Sequence, residues 1–357
     1  MVGLRAGGRK IEIVSSRTPE RVSGFRPRGR SRLGSVHVAR WTPRRICLLA
    51  LAALAAACGP PETRRAPEET GWFRGAPLPV ARTGVGVAEL DGRLWAVGGL
   101  TAEGETTPRV DVYDPVTDAW VMGPSLPVPV HHAAVVVLDG RLYSIGGHRE
   151  VPFQPVAYVF ALDPAEGRWR PVEPLPRARG GIAAAAWDGR IYAIGGASED
   201  EAAVRNVERY DPDEDRWDPM PPLPTPRERL AAAAADGVIY ALGGRIGGVS
   251  TVLSVVEALD TRSLRWETLP ALPTARAGLA AAVQDGRIHA LGGESPAGAL
   301  DAHEAYDPRS RRWFPGFALP TPRHGLGAAV AGGRLYAVGG GSGPGLTAGG
   351  AVEGLLE

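Results

Sequence analysis

The stretch Ile182-Ala183-Ala184-Ala185-Ala186-Trp187-Asp188-Gly189-Arg190-Ile191-Tyr192-Ala193-Ile194-Gly195-Gly196 decides the fold. Two short runs of apolar residues flank Asp188-Gly189. That dipeptide is a favoured two-residue hairpin turn, because Gly accepts positive φ and Asp tolerates it. The stretch therefore reads as two antiparallel strands that end at a double glycine. Beyond a variable loop, Val204 to Tyr210 reads as a third strand, and Asp211-Pro212 as its turn. Trp217 opens a fourth strand, which ends at Leu223-Pro224.

The pattern recurs along the chain. Double glycines stand at 98, 146, 195, 243, 292 and 339, with spacings of 48, 49, 48, 49 and 47. Tryptophans at 72, 120, 169, 217, 266 and 313 have the same spacings. Two independent markers with one period near 50, and four strand-like segments per period, specify the blades of a β-propeller. The first strands (Ala183 to Ala186, Ala231 to Ala235, Gly327-Ala328-Ala329) are built from small residues, as strands crowded around a narrow axis require. The composition agrees: 48 Gly and 33 Pro in 357 residues suit many turns and exclude a helical bundle. The repeat is also offset by one strand. The fold starts at Trp72, a fourth strand without its first three, and ends at Ala351-Val352-Glu353-Gly354-Leu355, which aligns with the third strand Asn206 to Tyr210. The spacing predicts an all-β, six-bladed propeller over 71–357, closed by the N-terminal strand, with no exposed sheet edges at the seam.

With its double glycine, tyrosine and tryptophan at set offsets, the repeat resembles the kelch family. Leu162 and Leu259 depart from it by replacing the tyrosine, and Gly332-Gly333-Arg334 replaces the Asp-Gly turn.

The N-terminal region has a different character. Arg44-Arg45 precedes a 12-residue apolar run, Ile46 to Ala57, and then Cys58. The run is shorter than the roughly 20 residues a spanning helix needs, and has the length of a signal-peptide core. Leu54-Ala55-Ala56-Ala57-Cys58 resembles a bacterial lipobox, with Ala55 where Leu is usual. That resemblance implies lipidation of Cys58 and residence in the cell envelope, at the outer membrane or a periplasm-facing membrane surface. Residues 58–70 then read as an extended polar tether. Residues 1–57 hold the upstream basic segment and the signal. Residues 1–36 lie ahead of any normal signal peptide, and two readings are open: a mis-called start near Val36, or a basic arm. The pair Arg44-Arg45 is also an incomplete twin-arginine pattern.

Charge follows the same division. Residues 1–57 carry 12 of the 40 Lys and Arg but 2 of the 39 Asp and Glu, so the remainder, with 28 basic and 37 acidic residues, has a net charge of −9. An acidic body without a basic stripe excludes nucleic acid as a partner. The two cysteines, Cys47 and Cys58, both precede the repeats, which excludes a disulfide framework or cysteine-held metal there. No cofactor is expected.

Strand direction puts the loop before each first strand and the loop after each double glycine on one face. The opposite face carries the nearly uniform Asp-Gly-Arg and Asp-Pro turns, so binding would be encoded on the variable face. Four residues after the Leu of each Leu-Pro stand Arg82, Val130, Arg179, Arg227, Arg276 and Arg323. Five arginines at the channel mouth suit recognition of a carboxylate or phosphate, although an arginine in each blade could equally hydrogen-bond loop carbonyls. The first reading is what the resemblance implies for a ligand binder, since in kelch propellers that bind ligands or peptides arginines at this slot often contact an acidic partner. Following these are His131-His132 in the second unit, Glu228-Arg229 in the fourth and His324 in the sixth, where other units have small residues. The histidines read as surface residues rather than a metal site, because no carboxylate lies at ligand spacing. Loops after the double glycines add His148-Arg149-Glu150, Glu199-Asp200, Arg245 and Glu294.

Two functions compete. One is a non-catalytic module, tethered to a membrane by its lipid, that binds a protein or carbohydrate ligand, anionic in the reading above, on the arginine-lined face. The other follows from resemblance: some exported six-bladed kelch proteins are sialic-acid mutarotases, similar to N-acetylneuraminate epimerase. Such chemistry needs an acid/base carboxylate beside arginines, and Glu228 is the local match. A radical-copper oxidase is excluded, because its cofactor needs a cysteine. A ubiquitin-ligase adaptor is disfavoured by the export signal.

Overall fold

The computed structural model describes residues 71–200 and 202–356. The basic segment, the apolar run, Cys58 and the tether lie outside the described residues. Six four-stranded antiparallel sheets are arranged as blades around one axis. Their innermost strands are Gly86–Leu90, Ala134–Leu138, Ala183–Trp187, Ala231–Ala235, Ala280–Gln284 and Gly327–Ala331, which define blades 1 to 6. Blades 1 to 5 each add three strands in sequence order. Blade 6 adds Arg334–Val338 and Val352–Leu356, and takes its outer strand, Gly71–Arg74, from the start of the fold. Trp72 pairs with Leu355 and Arg74 with Glu353, so the closure expected from the one-strand offset is present. One short 3₁₀ turn, Val249–Thr251, is the only helical element among the described residues.

The turns follow their residues. At the Asp-Gly hairpins both central residues have positive φ, as at Asp188 (50°) and Gly189 (69°), and Gly332-Gly333 does the same in blade 6 (56° and 79°). This is the primed geometry that matches strand twist.

The core lies between blades rather than within them. Six apolar clusters each draw residues from two neighbouring blades; one joins Ala134, Val136 and Ile145 of blade 2 to Ile191, Tyr210 and Trp217 of blade 3. Two rings of hydrogen bonds stitch these interfaces. At the rim, each repeat tryptophan donates its indole N–H to a carbonyl of the preceding blade, at 2.7–2.9 Å. Trp72, bonded to Phe317 O, closes that ring. Nearer the axis, the second glycine of each doublet donates its N–H to the backbone carbonyl of Val130 or of one of the five arginines in the next unit, at 2.8–3.0 Å. This explains why the doublet is glycine. A Cβ on Gly195 would come within 2.6 Å of Arg227 O, and its φ of 60° is unfavourable for a side chain.

Candidate functional site

The residues before the innermost strands and those after the double glycines do share a face. Their backbones pair directly: His131 with His148, Gly180 with Ala197, Glu228 with Arg245, Ala277 with Glu294, and His324 with Gly341. The face bearing the loops is therefore as the strand directions predict.

The arginines on it do not form an open ring; as the second of the two sequence readings had it, they bond backbone carbonyls, and they also meet carboxylates inside the blades. Arg82, Arg179, Arg227, Arg276 and Arg323 are each at most 1% exposed. Each guanidinium turns into its own blade and meets a buried carboxylate on the third strand. The partners are Asp111 (2.6 Å), Glu208, Glu257, Glu304 (2.5 Å) and Glu353 (2.7 Å). The remaining donors, Nε apart, bond backbone carbonyls, as Arg82 does with Gly98 O and Arg109 O, both at 2.8 Å. Burial lowers their pKa values, Arg82 to about 10. The expected ring of open guanidinium groups is thus corrected to five internal ion pairs. Blade 2 supplies the control. Where Val130 replaces the arginine, Phe160 replaces the carboxylate, and the two belong to one apolar cluster. A buried charge without its partner is costly, so both change together. The carboxylate 28 to 30 residues after each arginine was a readable signal that the sequence reading missed.

What faces the channel is the second residue after each of these positions. Gly84, His132, Gly181, Arg229, Gly278 and Gly325 form a closed ring, each N–H donating to the carbonyl of the residue before it around the axis at 2.7–3.0 Å. All six have φ between 50° and 61°. Glycine fills four of these left-handed positions at no steric cost; His132 and Arg229 occupy theirs against that cost, about 1 to 2 kcal/mol each. Strain of this kind persists where side chains have a task.

Around these two residues the structure gathers most of the other exceptions to the repeat. His131 is fully buried, with its Nδ1 2.6 Å from the Nδ1 of His132. The His148 ring lies 5.4 Å from that of His131, and Phe153 packs 4.9 Å from His148 and 5.0 Å from His131. The Arg229 guanidinium lies over Phe153 at 5.4 Å. His131, His148 and His324 are at most 4% exposed, so these histidines are not surface groups. Burial lowers the pKa of His131 to about 4 and of His148 to about 3, and lowers those of His132 and His324, with Arg229 adding to each shift. The imidazoles are therefore neutral at pH 7. Three of their nitrogens, His132 Nε2, His148 Nδ1 and His324 Nδ1, are buried without a hydrogen-bond partner.

The charges nearby are unevenly matched. Arg245 bonds Glu228 Oε1 at 2.9 Å and Glu294 Oε1 at 3.0 Å. Glu228 thus pairs with Arg245, not with Arg227 or Arg229 on either side of it. Arg229 makes no side-chain hydrogen bond among the described residues; its nearest carboxylate is Glu294, 3.9 Å away. It is 8% exposed, and burial, the largest cause, lowers its pKa to about 10, so it stays a cation. His132 and Arg229 line a cavity of about 150 Å³ at the ring. His148, Phe153, Glu228, Arg245 and Leu346 line a second cavity of about 370 Å³. No group of three or more His, Cys, Asp or Glu suited to a metal ion occurs among the described residues.

Comparison with known proteins fits this architecture. No curated protein matches the chain. The solved structure titled "Structure of YjhT" superposes with a TM-score of 0.67 at 16% identity, covering 78% of this chain and 96% of that one. At that identity the likeness speaks for the fold. The family of the KLHDC2/KLHL20/DRC7 Kelch-repeats domain matches in two overlapping passes, over residues 73–244 and 131–340. Its span takes in the six double glycines and five of the six blade-bridging tryptophans, all but Trp72, and on that ground the chain belongs to the kelch-repeat β-propeller family.

Proposed function

We propose that the protein is a binding module that takes an anionic group of a protein or carbohydrate ligand at the channel mouth, on Arg229 rather than on a ring of arginines. The observation that carries this reading is a guanidinium on the wall of the ring cavity that has no hydrogen-bonded partner and only Glu294 at 3.9 Å, beside neutral imidazoles with buried, unpartnered nitrogens. Such groups are costly unless something satisfies them, and Arg suits carboxylate and phosphate. Arg229→Gly tests it: the variant takes the residue four other blades use, so it should fold yet lose thermal stabilisation by carboxylate and phosphate ligands. Undiminished stabilisation would refute the reading. The module is further proposed to be exported and held on the envelope by lipid at Cys58. Cys58→Ala should move it from membranes into the soluble fraction.

A second reading is a sugar mutarotase. The Glu228 carboxylate beside His148 and Arg245 on the wall of the larger cavity favours it. Glu228→Gln should then stop anomer exchange measured by NMR without loss of sugar binding.

A further inference from the structure

Phe153 lies between the histidines of blade 2 and Arg229 of blade 4, on the wall of the larger cavity. It belongs to the loop after the blade 2 double glycine, whose neighbouring residues Val151 and Pro152 are exposed. Its own ring is half-buried, and turned inward among the rings of His131, His132 and His148, at 5.0, 5.9 and 4.9 Å. The Arg229 guanidinium completes the enclosure at 5.4 Å. The ring thus rests against the groups whose hydrogen-bonding capacity is unused: the Arg229 guanidinium, His132 Nε2 and His148 Nδ1. An aromatic ring offers its π-face to the cation and stacks on imidazoles, yet accepts no ordinary hydrogen bond from any of them. Its chemistry matches the shape of the mouth and one component of its electrostatics, and leaves the rest unmet.

From this we infer that the ligand of the mouth is an aromatic anion, a flat ring bearing a carboxylate, and that Phe153 is an internal stand-in for that ring which the ligand displaces. The inference rests on the reading of Arg229 as the anion site. A ring carrying a carboxylate keeps the stacking that Phe153 provides and adds charge-assisted hydrogen bonds to Arg229 and a bond from an imidazole N–H. Val151, Pro152, Phe153 and Leu346 give the larger cavity an apolar wall against which a flat ring can pack, beside the polar side chains of His148, Ser198, Glu228 and Arg245. A ligand that must expel Phe153 binds with an affinity reduced by the fraction of molecules in which the ring has swung out.

The test uses the purified full chain with phenylacetate, benzoate, acetate and glucuronate in titration calorimetry. Phenylacetate and benzoate are expected to bind, and acetate and glucuronate at least tenfold more weakly. Phe153→Ala should tighten the aryl acids on the order of tenfold, the factor expected from removing one cation–π and stacking competitor. Weaker aryl-acid binding by Phe153→Ala would overturn the inference, since Phe153 would then be a wall of the site. Preference for glucuronate over phenylacetate would overturn the ligand class. Arg229→Gly separates the two levels. If glucuronate or acetate binds as tightly as the aryl acids or more tightly, and Arg229→Gly removes that binding, the mouth is an anion site and only the aromatic class fails. If Arg229→Gly binds every anion as wild type does, the site itself is misplaced and both fail.

Discussion

Removing one arginine from inside a blade should cost more than removing the one that faces the channel. In Arg227→Ala, Glu257, 2% exposed, loses its guanidinium and keeps one side-chain partner, the Thr225 hydroxyl at 2.8 Å. Breaking a buried pair by deleting one member costs about 3–5 kcal/mol. At roughly 2–4 °C per kcal/mol for a domain of somewhat smaller size, the melting temperature should fall on the order of 10 °C. The same site can be rebuilt without charge, because blade 2 already shows how. Its Val128-Pro129-Val130 corresponds to Thr225-Pro226-Arg227, and its Phe160 to Glu257. Replacing a buried pair by packed apolar groups is often neutral. The triple variant Thr225→Val, Arg227→Val, Glu257→Phe should therefore recover most of the loss. Differential scanning calorimetry of the three proteins at pH 7.5 decides the matter. If Arg227→Ala melts with wild type, the arginine is not a structural ion pair. If the triple variant is as unstable as Arg227→Ala, the charge pair does something that packing cannot replace.

Three further outcomes are expected. Arg229→Gly relieves a left-handed side chain (φ 50°) and should be neutral to about 1 kcal/mol more stable in urea unfolding, the reverse of Arg227→Ala. Gly195→Ala should destabilise by more than about 2 kcal/mol, since its Cβ would meet Arg227 O at 2.6 Å in a left-handed backbone, and melting would register it. Acid should destabilise the fold before carboxylates titrate. His131 and His148 have folded pKa values depressed to about 4 and about 3, so the unfolded chain binds more protons. Each histidine then removes about 1.4 kcal/mol per pH unit as pH falls from 6.5 towards those values, and above 6.5 it has no effect. Urea midpoints measured from pH 7.5 to 4.5 should show this, and His131→Gln should flatten the slope.

The strands, the turns, the sixfold count and even the closure by Trp72 were legible in the sequence, because each rests on local chemistry repeated at a fixed period. Asp188-Gly189 makes a primed turn wherever it is placed, and the one-strand offset between Trp72 and Leu355 follows from counting. The side of the propeller that carries variation followed in the same way, from strand direction alone. Where a side chain points did not. Arg227 and Arg229 are two residues apart in one loop, equally cationic, and nothing local separates them. The fold does, because position 227 turns into the blade, opposite Glu257 on a strand 30 residues away, while position 229 falls in the ring around the axis. Nor could the sequence place Phe153 against His131, His132, His148 and Arg229, since the loop that carries it is unlike any other in the repeat. Periodicity determines what the repeats have in common, because each blade meets the same neighbours. The site is made of what they do not share, and such residues find their partners only when six blades close into one ring and bring them to a single axis.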